Sequence, residues 1–184
     1  MAADELIILG IDPGSQKMGW GVIRVRGARL SAEGFGVARF PVDQVVSARL
    51  GKIYQTVADL AARFVPQESA VEDVYGGRNI QSALKLGQAR GAAIAALCQA
   101  GLPPSEYTPP TVKKALVGSG RAEKGQVALM VRHILQITQA IPEDAADALA
   151  VAICHAHSRL LPQAVTTAPR AKSWEALLAA RSRP

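Results

Sequence analysis

The sequence predicts an α/β fold: a mixed five-stranded sheet, three antiparallel strands and then parallel ones, flanked by helices. Three observations carry this. Strand-like runs follow one another over residues 6–40 with connections too tight to hold helices, the pattern of an antiparallel meander. Beyond residue 46, helical stripes alternate with two further short strand runs, which implies parallel neighbours. Leu6-Ile7-Ile8-Leu9-Gly10-Ile11, closed by Asp12-Pro13-Gly14, reads as a central strand buried on both faces.

Each element has its own signal. Gly19–Arg26 is rich in β-branched residues with interleaved arginines, and Leu30–Phe40 is a third, Gly-interrupted strand. Val46, Leu50, Ile53, Val57, Leu60 and Phe64 draw the stripe of a first helix, with Pro66 as its stop. Ala70–Tyr75 is a fourth strand running into Gly76-Gly77. A second helix spans residues 79–100, with Ile80, Leu84, Gly87, Gly91, Ile94 and Cys98 on its apolar stripe and Gly101 as its stop. Its two glycines each cost about 1 kcal/mol against alanine, so a closely approaching neighbour is expected: the sheet, or the same helix of another subunit.

Ser105–Tyr107 is a brief fifth strand. Thr108 and Pro109 cap a short helix bearing Lys113 and Lys114. Gly118–Arg121 is a basic loop, a helix follows over residues 123–136, and the last helix runs from about Pro142 to Leu160. Residues 1–160 thus form one domain, and residues 161–184, rich in Pro, Ala, Ser and Arg, form a basic, flexible tail.

Composition bounds the function. The chain of 184 residues has a net charge of +6, which suits an acidic partner such as nucleic acid, although a mildly basic surface needs no partner at all. Cys98 and Cys154 each fall in an apolar helical pattern and read as reduced core residues. Asp4 and Glu5 stand where a signal peptide needs basic residues, and no apolar run could span a membrane, so a cytoplasmic protein is expected.

Four acids sit at element ends: Asp12, Glu72, and the pair Asp144 and Asp147 on one face of the last helix. Singly each has an ordinary explanation. Asp12 can close a turn, and acids in a first helical turn favour the macrodipole by about 0.3–1 kcal/mol. Together they would converge if the first and fourth strands are neighbours and the last helix crosses them. The small Ala145, Ala146 and Ala148 permit such an approach. Two carboxylates about 4 Å apart repel by about 4 kcal/mol at an effective dielectric of 20, so such a cluster implies cations. All-carboxylate ligands select Mg²⁺ or Mn²⁺, and two such ions can drive phosphodiester hydrolysis. Lys113, Lys124, Arg78 and Arg121 would attract phosphate without reading sequence. His133, His155 and His157 lack zinc-ligand spacing and read as core or surface residues.

The motifs ILGIDPGSQKMGWGVI, VEDVYGGRN, SALKLGQARG, GSGRAEKGQ and DAADALAVAICHAH together resemble the RuvC family of Holliday-junction resolvases over residues 5–160. The resemblance implies a ribonuclease-H-like fold and a homodimer. It implies paired cuts in strands of like polarity at a four-way DNA junction, leaving ligatable 5′-phosphate and 3′-hydroxyl ends, in recombination and repair. It matches Asp12, Glu72, Asp144 and Asp147 to the family's metal-binding catalytic acids, with Mg²⁺ or Mn²⁺, two ions per site. Lys113 and Lys124 match lysines that contact DNA phosphate. Tyr75 stands where the family usually has a Phe that stacks on a base; the ring face is kept and a hydroxyl added. Asp73 replaces a frequent neutral amide and should point to the opposite side of its strand from Glu72. The branch-migration proteins RuvA and RuvB are the implied partners. Two other classes compete: a sugar-kinase or actin-like ATPase, which would need two duplicated halves where this chain has one, and a non-catalytic junction-binding module, for which four retained acids have no use.

Overall fold

The computed structural model describes residues 5–73 and 79–160. The element order is β1 (Glu5–Asp12), β2 (Lys17–Arg26), β3 (Arg29–Arg39), α1 (Val46–Phe64), β4 (Glu68–Glu72), α2 (Ile80–Gln99), β5 (Ser105–Tyr107), α3 (Pro109–Val117), α4 (Lys124–Leu135) and α5 (Glu143–Leu160). The strands form one sheet in the order β3-β2-β1-β4-β5. β1, β2 and β3 pair antiparallel, and β4 joins β1 and β5 in parallel. The expected mixed five-stranded sheet is therefore the one observed, with β1 at its centre.

Alternation along the strands divides the core in two. Ile8, Ile23 and Ala70 face the layer built from α3, α4 and α5, while Leu9, Ile11, Val22 and Val71 face α1 and α2. α5 lies almost on the sheet backbone. A Cβ at Gly10 would overlap the carbonyl oxygen of Ala148, and one at Gly19 the carbonyl oxygen of Asp144. Ala145 and Ala148 are fully buried on the helix side of this contact, in line with the close approach that the small residues of α5 allow.

Some expectations need correction. β4 starts at Glu68 and ends at Glu72 rather than running from Ala70 to Tyr75. Its partner β5 stops at Tyr107, whose carbonyl accepts the Asp73 N–H at 2.8 Å, so no further ladder is available there. α1, by contrast, ends as expected just before Pro66: Val65 adopts a left-handed conformation (φ 45°) and returns its N–H to Ala61 O.

α2 is turned the other way. Ala89, Ala93, Ala96 and Leu97 are buried, whereas Ile80 is 79% exposed and Leu84 is 63% exposed. A Cβ added at Gly87 or Gly91 would meet nothing within 4 Å. Both sides of this helix are apolar enough to be buried. The alanine side wins because it lets α2 pack closer to α1 and the sheet. Cys98 is accordingly exposed and not a core residue, while Cys154 is buried as expected. The proposed tail from residue 161 lies outside the described residues. No described helix is long and apolar enough to cross a membrane.

Candidate active site

The ends of three elements meet at the carboxyl edge of the sheet. Asp12 is the last residue of β1 and Glu72 the last of β4, on adjacent parallel strands. β4 presents Glu72 on the face that also carries Ala70, which is the α5 side. Asp144 and Asp147 lie in the opening turns of α5, placed by the contact of the Asp144 carbonyl region with Gly19. A cavity of about 180 Å³ is lined by Glu72, Asp147, Lys113, Lys124 and Pro109.

The electrostatics of the cluster are those of crowded, buried acids. Asp12 is pushed up to about 8, first by burial and then by the charges of Glu72 and Asp147, with a smaller push from Asp144. Glu72 is raised by burial and then by Asp147, while its hydrogen bond with Asp12 and the charges of Lys124 and Lys113 pull it back. That shared hydrogen bond raises Asp12 and lowers Glu72. Asp147 is also raised by burial, against the pull of Lys124. Lys124 itself is held protonated, chiefly by its hydrogen bond to Glu143 at 2.9 Å; its Nζ also lies 3.4 Å from Asp147.

A set of hard oxygen donors that is costly to ionise together fits a divalent cation. Among the described residues, no three acid, imidazole or thiol groups are placed, as they stand, to hold one metal ion together.

The other candidate residues divide. Lys113 on α3 and Lys124 at the start of α4 line the acid cavity. Arg121 does not: it is exposed in the α3–α4 connection and lines a separate cleft of about 600 Å³ with Gln126, Met130 and His133. Tyr75 and Arg78 lie outside the described residues. Asp73 points away from the acids, as expected, and pairs with Arg90 of α2 at 3.3 Å; the same guanidinium also holds Glu106 of β5. Sequence reasoning missed Glu143 as a partner of Lys124, and missed Gly10, Gly19 and Gly21. The alternation of glycine along β2 was the available signal for a helix resting on that face.

A central β1 ending in an acid, an antiparallel meander on one side, parallel strands on the other and a helix bringing two more acids define a ribonuclease-H-like nuclease. The family model described as "Crossover junction endodeoxyribonuclease RuvC" matches residues 8–155. The chain is 53% identical over 152 residues to the RuvC of Maricaulis maris, covering 83% of this chain and 91% of that one. It is 51% identical over 165 residues to the RuvC of Halorhodospira halophila, covering 89% and 98%. Among solved structures, Thermus thermophilus RuvC matches with a TM-score of 0.77 at 38% identity, covering 83% of this chain and 95% of that one. The same protein in complex with a Holliday junction substrate matches at 0.76 and 36%, covering 83% and 94%. The yeast mitochondrial Holliday junction resolvase, 14% identical with a TM-score of 0.57, shares the fold over 82% of this chain and 78% of that one. The chain belongs to the RuvC family of crossover junction endodeoxyribonucleases, which are metal-dependent nucleases.

Proposed function

We propose that the chain resolves four-way (Holliday) DNA junctions by hydrolysing paired phosphodiester bonds, with Asp12, Glu72, Asp144 and Asp147 holding Mg²⁺ or Mn²⁺, two ions per site. The observation that supports this best is that Asp12 of β1, Glu72 of β4 and Asp147 of α5 lie together in one largely buried cluster, where Glu72 and Asp147 raise the proton affinity of Asp12 and Asp147 raises that of Glu72. Bound divalent ions supply an activated water and charge stabilisation for the leaving oxygen. The chain's own part is to hold four carboxylates ionised around them and keep bulk water limited.

Lys113 and Lys124 line the same cavity and would meet the phosphate flanking the cut. In this reading Lys124 exchanges its contact with Asp147 for the DNA backbone. Arg121, set further out, would add salt-dependent attraction for an adjoining arm, and Arg78 is assigned the same role. Tyr75 is assigned to stacking on a base near the junction centre.

Two cuts of like polarity call for two sites, and a homodimer supplies them. The exposed side of α2, with Ile80, Leu84, Gly87 and Gly91, is the surface best suited to a second copy. RuvA and RuvB remain the proposed branch-migration partners. Residues 1–160 are the proposed nuclease domain and 161–184 a basic tail.

The test is a mobile-junction assay with Mg²⁺, Mn²⁺ or EDTA on the parent and on Asp12→Asn. Cleavage that needs the ion, and an Asp12→Asn protein that binds junctions but fails to cut them, are the expected results. Normal nicking by the variant would remove Asp12 from the mechanism.

A further inference from the structure

β4 and α5 lie against one another, and the two ends of their contact carry opposite electrostatics. At the carboxyl end of β4, Glu72 meets the repelling charge of Asp147. At the amino end, Glu68 sits on the same face of the strand. Its carboxylate meets His155, further along α5: Nε2 of the ring is 2.7 Å from Glu68 Oε2, and the Arg159 Nε reaches the same oxygen at 2.8 Å. The second ring nitrogen, Nδ1, is 2.8 Å from the Tyr107 hydroxyl.

His155 is only 7% exposed, so this ring has little freedom to turn. A neutral imidazole with these partners has one consistent arrangement. The carboxylate accepts, so Nε2–H donates to Glu68, and the Tyr107 O–H donates to Nδ1. Tyr107 is in turn the residue paired with Glu72 across β4 and β5, and its carbonyl accepts the Asp73 N–H. One side chain therefore ties α5 to both β4, which ends at the acid cluster, and its neighbour β5. None of the chemistry proposed for the acids uses it.

We propose that His155, with Glu68 and Tyr107, is a positioning device: it locks α5 against β4 at one end so that Glu72 and Asp147 keep, at the other end, the spacing that a shared divalent ion needs. A helix is a stiff rod, so a slide or rotation permitted at its far end is transmitted to its first turns. This inference rests on the reading of the acids as an ion site.

Calorimetric titration of the full chain with Mn²⁺ tests it. His155→Phe keeps an aromatic ring in the core and removes both hydrogen bonds. Its Mn²⁺ affinity is expected to fall by about tenfold, the scale of lost outer contacts around metal sites. Junction binding in EDTA should stay at the parent level, and cleavage should recover as Mn²⁺ is raised. Glu68→Gln keeps an oxygen that accepts from Nε2–H and should retain most of the affinity. Parent-like Mn²⁺ affinity in His155→Phe overturns the proposal, as does an equal loss in Glu68→Gln. If His155→Phe does not fold, Tyr107→Phe carries the test with a smaller expected loss, and no loss there overturns the proposal as well. Parent-like Mn²⁺ binding by Asp12→Asn would instead refute the ion site itself, a separable failure.

Discussion

Asp12 is where burial and charge compete most sharply. Its proton affinity in the folded protein lies near pH 8, well above the ordinary 3.8 of an unfolded aspartate. The folded state therefore binds a proton that the unfolded chain has released. Stability from this group is fully present below about pH 4 and is lost as the pH rises through about 8. Without divalent ions, the melting temperature should fall over that window. Asp12→Asn should flatten the fall and melt higher than the parent at pH 8 in EDTA, while losing cleavage. Melting curves across pH with and without Mg²⁺ check this; an equal slope in parent and variant would mean that Asp12 is not the group responsible. The Lys124 pair with Glu143 is exposed on both sides, at 67% and 71%, so it should contribute little to stability. Lys124→Met is accordingly expected to keep the parent melting temperature within a few degrees and to lower the cleavage rate, which separates a substrate role from a structural one.

At the scale of elements, the contact of α5 with β1 and β2 is decided by the absence of side chains. Gly10→Val would drive methyl groups into the Ala148 carbonyl and Ala152. Overpacking of this kind typically costs 1–3 kcal/mol, and with backbone as the obstacle a loss of about 3 kcal/mol or more is expected in urea unfolding. An undisturbed midpoint would mean that α5 can lift from the sheet. α2 poses the opposite case, an apolar side chain left largely in solvent. Leu84 is 63% exposed. Leu84→Arg should leave the melting temperature of the isolated chain nearly unchanged and shift the sedimentation profile from dimer to monomer. A dimer that survives it would place the interface on another surface. Element limits were mostly legible beforehand because they follow local chemistry. Thr108 does accept the Thr111 N–H, Pro109 does open α3, and Gly101 and Gly118 close helices at φ 76° and 77°. The inward face of α2 was not legible, because its periodicity allowed either side and only the neighbours could choose.

For the molecule as a whole, one sheet carries two cores, and the acids gather where β1 and β4 end and α5 begins. The family match stops at residue 155, close to the end of α5. A chain ending at Leu160 should therefore melt cooperatively and still cleave; loss of a cooperative transition would show that residues 161–184 belong to the fold. The sequence by itself determined the order of elements, the class of sheet and the acids at element ends, since these are written in periodicity, caps and turn residues within a few positions of one another. Only the tertiary structure decided how far burial and the other acids raise the proton affinity of Asp12, that Lys124 leans on Asp147, that α5 rests on bare glycine backbone, and that His155 reaches Glu68 across 87 positions. The physical reason is the same in each case: burial and pairing depend on which surfaces meet, and residues far apart in the chain meet only once the sheet has formed.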